Sequence, residues 1–277
     1  MANQAPGHVD RADHRVMRLH EVSFAFRGGP NVVEGVSGEV FAGQFHALIG
    51  PNAAGKSTLL RLMLGQLAPG AGRVELEGRR VGAYRARRRA ALLSYVPQRS
   101  SMDFAFSVRQ VIAMGRYALP PDPMAVERAV ESCDLRSVVD RPFNALSVGQ
   151  QQRVLLARAL AQSQGGGRVM LLDEPTSAMD LAHMHEVMGL LRGMADEGLA
   201  VVTIVHDLNL AARYADAAWL LDRGRLVAAG HWADVLTPEV LEPVYGVKLD
   251  ALDRMVDPGD PLARRPVFDV RLADGFE

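Results

Sequence analysis

Gly50-Pro51-Asn52-Ala53-Ala54-Gly55-Lys56-Ser57 lies between an apolar run, Phe45 to Ile49, and a helix-like stretch, Lys56 to Leu64. Strand, glycine-bearing turn and helix in that order are the context that the G-x-x-x-x-G-K-[ST] phosphate loop requires. Backbone N–H groups converge there at a helix N-terminus, where the macrodipole adds positive potential for an anion. On this reading Gly50 to Ser57 and the following Thr58 surround nucleotide phosphates, Lys56 reaches the β- and γ-phosphates, and Ser57 ligates Mg²⁺. A composition bias singles out the same lysine: of 31 basic residues only Lys56 and Lys248 are not arginine. A site that keeps lysine against such a bias needs a compact ammonium on a flexible stem, which a planar guanidinium does not imitate.

Around this loop the chain alternates apolar strands with helices. Strand signals fall at Val16 to Phe26, Phe45 to Ile49, Arg73 to Glu77, Leu92 to Val96, Val169 to Leu172, Ala200 to Val205 and Ala217 to Leu221. Helical patterns fall at Ser147 to about Ala161, Leu181 to Ala195 and Leu208 to Tyr214. Short, continuously apolar strands between helices predict a parallel sheet covered on both faces, an α/β fold. The stretch from Arg99 to Leu146 changes character, with helical periodicity at Ser107 to Met114 and Met124 to Cys133, and reads as a helical insertion. The tail from Asp250 is rich in Pro, Asp and Arg and carries no firm pattern.

The strand Val169 to Leu172 ends in Asp173-Glu174. Two carboxylates at the end of a buried strand are costly without a cation. With the phosphate loop nearby, Asp173 faces the Mg²⁺ shell and Glu174 polarises the water that attacks the γ-phosphate. A solvated strand-to-loop boundary is the alternative.

Composition sets outer limits. The 277 residues carry 31 basic and 32 acidic groups with 48% apolar residues, a globular balance rather than a disordered one. A net charge of −1 argues against nucleic-acid binding through a broad positive field. The lone Cys133 forms no intrachain disulfide, and a reducing compartment is the simpler expectation. No apolar run approaches the roughly 20 residues that span a bilayer, so any membrane span is expected from another chain.

With these residues in view, the chain resembles the ATP-binding subunits of ATP-binding-cassette (ABC) transporters. The segment Leu146-Ser147-Val148-Gly149-Gln150-Gln151-Gln152-Arg153 is similar to that family's signature, and it stands shortly before the carboxylate strand. The resemblance, over roughly residues 16 to 246, implies a P-loop NTPase (RecA-like) core with an N-terminal antiparallel β portion and an inserted α-helical subdomain. It divides the chain into a disordered tail (1–15), a nucleotide-binding domain (16–249, helical subdomain about 99–150) and an extension (250–277). It implies catalytic roles for Glu174, His206 as the switch histidine and Gln98 as the Q-loop, with Mg²⁺ held by Ser57, Gln98 and Asp173. Phe26 stands where the family stacks an aromatic on adenine, although Phe24 shares its strand face and a core role competes. Ser177 and Asp180 belong to the D-loop, and Leu146, Ser147, Val148, Gly149 and Gln150 act on the facing subunit.

Two positions depart from the family pattern, which usually has glycine at Ala53 and at Val148. Ala53 occupies a permissive loop position and removes no ligand, whereas β-branched Val148 is expected to restrict the loop between Ser147 and Gly149.

The resemblance further implies a head-to-tail homodimer with ATP between the phosphate loop and the opposing signature. It implies two copies of a separate permease, a periplasmic binding protein reached through that permease, no nucleic acid, and a peripheral place on the cytoplasmic face of the bacterial inner membrane. Met102, Phe104, Phe106 and Val108 are candidates for a permease groove, with core packing as the alternative. Met114-Gly115-Arg116, the segment His206 to Asp216 and Leu236-Thr237-Pro238 resemble the iron-siderophore, haem and cobalamin importers, and Leu181-Ala182-His183 resembles haemin-importer ATPases in particular. His183 and His185, two apart on a helix, point to different faces and do not form a ligand pair. The arginines of Arg79 to Arg89 face either solvent or anionic headgroups. Outside transport, a DNA-associated or regulatory ATPase is disfavoured by the neutral charge, and a non-hydrolysing cassette would lack Glu174 or His206.

Overall fold

The computed structural model describes residues 14–98, 105–177, 179–252 and 265–271. Its frame is a six-stranded sheet of β3 (Phe45–Ile49), β6 (Leu93–Val96), β7 (Val169–Leu172), β8 (Ala200–Ile204), β9 (Ala217–Asp222) and β10 (Arg225–His231). The order is β10-β9-β3-β8-β7-β6, parallel throughout except that β10 joins β9 antiparallel. Every residue of β3, β7 and β8 is buried, as expected of strands covered on both faces. Alternation sorts them between two cores. Phe45, Ala47, Ile49, Met170, Leu172 and Val201 face one, while Leu48, Val169, Leu171, Val202 and Trp219 face the other.

The second core is closed by an antiparallel sheet in the order β2-β1-β4-β5, from β1 (Arg15–Ala25), β2 (Asn31–Phe41), β4 (Ala71–Leu76) and β5 (Arg79–Arg80). Between the sheets lies α1 (Lys56–Met63), with Leu59, Leu60, Leu62 and Met63 fully buried. Gly38 sits against Trp219, where an added Cβ would fall 2.7 Å from the indole. The expected tail boundary at residue 15 falls inside β1, and residues 1–13 lie outside the described set.

The first core continues into the helical insertion. Here α3 (Val108–Met114) and α4 (Pro123–Ser132) pack on α5 (Val148–Ser163), which runs back under the sheet beside β6 and β7. Ser107 and Gln110 close a capping box on α3, Asp122 caps α4 ahead of Pro123, and Ser147 and Gln150 close a second box on α5. Val108 is fully buried and Phe106 is partly buried against this core, so core packing accounts for these two permease-groove candidates. Met102 and Phe104 lie outside the described residues. Cys133 is buried in the same core, and burial pushes its thiol up to about 12.

Helix α2 (Ala86–Leu92) follows β5 and buries Leu92 in the second core, while α6 (Leu181–Asp196), leading to β8, and α7 (Leu208–Tyr214), leading to β9, pack into the first. After β10 come α8 (Trp232–Val235) and α9 (Pro238–Tyr245). The tail departs from expectation: β11 (Lys248–Leu252) and β12 (Val267–Arg271) form an antiparallel pair, and Leu249 and Phe268 enter the first core. The expected boundary at 249/250 therefore cuts through a strand. No helix of the described residues is long and apolar enough to cross a membrane.

His46, on β3, is a polar group in this interior. It is 2% exposed, accepts weakly from the Phe41 N–H through Nε2 at 3.4 Å, and has no hydrogen-bond partner at Nδ1. Burial lowers its pKa to about 4, with Asp216 opposing the shift. The unfolded chain takes up that proton near pH 6.5, so the neutral ring's contribution is complete above pH 6.5 and lost as the pH falls toward 4. Urea denaturation at pH 7 and pH 4.5 is expected to show the wild type losing about 2–3 kcal/mol more than His46→Gln, which takes up no proton.

Candidate active site

The phosphate loop leaves β3 and enters α1 through two glycines that admit no side chain. A Cβ at Gly50 (φ 141°) would sit 2.0 Å from the Leu221 carbonyl oxygen, and one at Gly55 (φ 99°) would sit 2.4 Å from that of Val32. Hydrogen bonds tie the loop to its surroundings: the Gly224 N–H donates to Ala54 O at 3.0 Å, and the Glu34 N–H donates to Gly224 O at 2.8 Å. Lys56 is 6% exposed, and its ammonium donates to Gly50 O and Pro51 O, both at 2.7 Å. Burial lowers its pKa, while Glu174 and then Asp173 pull it back up. Ala53 has φ 63°, a left-handed conformation, so alanine here carries strain that glycine would not. Position 53 is permissive for contacts but not for backbone.

Beside Lys56, Ser57 Oγ donates to Asp173 Oδ1 at 3.0 Å. Asp173 is buried, and its carboxyl is pushed up mainly by that burial and also by Glu174, against the Ser57 hydrogen bond. Both oxygens of Glu174 are engaged: Gln98 Nε2 donates to Oε2 at 2.6 Å, and His206 Nε2 pairs with Oε1 at 2.6 Å. Glu174 is itself left-handed, with φ 50°, at the turn after β7. Its carbonyl accepts from the Ser177 hydroxyl at 3.1 Å. Asn52 to Thr58, Val32, Glu174 and His206 line one recess of about 370 Å³.

A second recess, about 440 Å³, is lined by Ser147, Val148, Gly149, Gln150, Arg153, Met179, Asp180 and His183. The two recesses share no lining residue, so phosphate loop and signature stand apart in one chain. Val148 is 66% exposed at the first position of α5 and occupies helix rather than loop, so the restriction expected of its branch falls on no flexible segment. Leu146 points into the core. Asp180 caps α6 and holds His183 through Oδ2 at 2.7 Å, whereas His185 bonds the Tyr214 hydroxyl at 2.9 Å. The two histidines thus have separate partners. Phe26 is 49% exposed, edge-on to Phe24, which removes the core alternative for it.

Among the described residues no cluster of three or more His, Cys, Asp or Glu forms a metal cage. The donors present, Ser57 and the buried Asp173 with Glu174 adjacent, fit Mg²⁺, which takes one or two protein oxygens and fills its shell with phosphate and water.

A sequence model of the ABC transporter family matches residues 33–177. The chain belongs to that family. The cassette is 44% identical over 236 residues to the hemin import ATP-binding protein HmuV of Rhodococcus jostii, covering 83% of this chain and 80% of the relative. The HmuV of Pseudomonas aeruginosa is 41% identical over 255 residues, covering 89% and 98%. Among solved structures, a chain of a metal-chelate type ABC transporter in an inward-facing conformation superimposes with a TM-score of 0.77 at 27% identity, covering 93% of this cassette and 98% of that chain. A dimeric ATP-binding cassette bound to ADP and Pi after hydrolysis shares the fold, with a TM-score of 0.71 at 24% identity, covering 78% and 98%.

The two kinds of loop position separate in stability. Ala53→Gly is expected to leave nucleotide affinity unchanged and to be neutral or stabilising by up to ~1 kcal/mol, whereas Gly55→Ala is expected to cost at least about 2 kcal/mol, both read from denaturant midpoints.

Proposed function

We propose that this cassette hydrolyses ATP to drive haem through a separate membrane permease. The observation that carries the ATPase reading is the Glu174 carboxylate, held at both oxygens by Gln98 and His206 beside the phosphate loop. The haem assignment is supported by HmuV relatives that match over most of both chains.

On this reading the loop N–H groups cradle the phosphates, and the Lys56 ammonium exchanges its carbonyl partners for phosphate oxygens. Ser57, Asp173 and Gln98 are the residues that would hold Mg²⁺, which would supply neutralisation of phosphate charge. Glu174 accepts a proton from the attacking water, and Gln98 and His206 orient its oxygens. His206 then donates toward the γ-phosphate. Phe26 offers its exposed ring to the adenine. Because the signature lies in a separate recess, the site is completed by Ser147, Gly149 and the D-loop residues Ser177 and Asp180 of a second copy, in a head-to-tail dimer. Closure of that dimer on ATP and its opening after hydrolysis supply the working stroke.

The permease docks beside β6, in a recess of about 430 Å³ between α2 and α3 that includes Arg89, Tyr95, Met114 and Tyr117. Tyr117 is 88% exposed there, unlike Phe106 and Val108. The subunit is thereby peripheral to the cytoplasmic face of the inner membrane. Ferric siderophore and cobalamin are the competing cargoes.

Glu174→Gln is expected to retain ATP binding, trap a dimer on gel filtration with ATP, and lower turnover at least 100-fold; ordinary turnover removes Glu174 as the base. Lys56→Ala is expected to weaken ATP affinity itself in a calorimetric titration. In liposomes containing the permease, stimulation of hydrolysis by binding protein loaded with haem, and not with ferric siderophore or cobalamin, supports the cargo.

A further inference from the structure

His206 has its side chain 42% exposed, so close packing does little to aim the ring at Glu174. Its direction is set by the backbone that follows. Asp207 caps α7, accepting from the Asn209 N–H at 2.7 Å and the Leu210 N–H at 3.3 Å. At seven residues, α7 is too short to hold itself in place, so its position depends on what grips it.

The grip comes from the C-terminal hairpin. The Asn209 side chain pairs with the backbone of Phe268 in both directions: Nδ2 donates to Phe268 O at 3.2 Å, and the Phe268 N–H donates to Oδ1 at 2.7 Å. This treats the first turn of α7 as though it were a neighbouring strand of β12. At the other end, Arg265 Nη1 donates to Ala212 O at 2.8 Å and Ala215 O at 2.6 Å, satisfying terminal helix carbonyls. Its guanidinium lies 4.9 Å from the centre of the Trp232 ring, which braces it. The buried Phe268 ring anchors the strand in the core.

We propose that the C-terminal hairpin sets the reach of the switch histidine, with Asn209 as a positioning residue that acts on hydrolysis through His206. The proposal rests on the role given to His206 above. It assigns the tail a part in turnover while leaving the phosphate loop, built from other elements, unaffected.

The test is a double-mutant cycle in the full chain, with steady-state ATP hydrolysis as the readout. Asn209→Ala is expected to lower kcat about tenfold and to leave KM for ATP within twofold. In a His206→Ala background it is expected to add no further loss. Additive losses, an unchanged kcat in the single variant, or a loss confined to KM overturns the proposal. An unchanged kcat in His206→Ala overturns the role of His206 itself, and the positioning role falls with it. Should Asn209→Ala fail to fold, Asn209→Asp keeps the acceptor for the Phe268 N–H and loses the donor. It is expected to lower kcat about threefold, again only where His206 is present, and an unchanged kcat in that variant overturns the proposal equally.

Discussion

The Lys56 ammonium and the Asp173 carboxylate are opposite charges that the fold removes from water at the C-terminal ends of the parallel strands β3 and β7. Desolvating either ion costs several kcal/mol, and that cost is tolerable only where fixed partners replace the lost hydration. Those partners are the carbonyls of Gly50 and Pro51 for the ammonium and the Ser57 hydroxyl for the carboxylate. The two carbonyls follow directly on β3, the Ser57 hydroxyl sits in the first turn of α1, and the carboxylate it meets follows directly on β7. The rigidity of the sheet, the side-chain-free glycines at 50 and 55, and the tethers from Ala54 and Glu34 all serve this arrangement. Loosening any of them leaves a buried charge without its partners.

The same economy of contacts explains why catalytic and signature residues occupy different recesses. A chain that closed its signature over its own phosphate loop would have no way to couple hydrolysis to a rearrangement between bodies. On the proposed head-to-tail arrangement, the separation of the two surfaces makes ATP the joint between two copies, and the energy of closure is available to whatever the copies grip.

Legibility in the sequence followed burial and locality. Strands β3, β7 and β8 are buried on both faces and therefore read as unbroken apolar runs, and their ends carry Gly50, Asp173 and His206. Strand β2 escaped notice because bulges in its pairing with β1 space the buried Val33, Val36 and Val40 three and four apart, a helical rhythm in an extended chain. Strand β10 has no fully buried residue and so shows no apolar run. In the candidate site, Lys56, Ser57 and Glu174 stand in compact motifs, and Gln98 was placed by the family resemblance. The partner of Asn209 was not, because it is a backbone group 59 residues away whose identity no side chain announces. Ala53 and Val148 show the same limit: their substitutions were visible, but whether each falls in strained loop or first helical turn is a property of the backbone.

Cys133 has a practical corollary. With its thiol buried and raised to about 12, only on the order of one molecule in ten thousand carries the reactive thiolate at pH 8. Burial and the raised thiol together make Cys133 a poor target for thiol-directed reagents. A single cysteine placed on an exposed position such as Val148 would therefore be labelled alone. A dye or spin probe there would report the approach of the second copy proposed above, with the native Cys133 left in place.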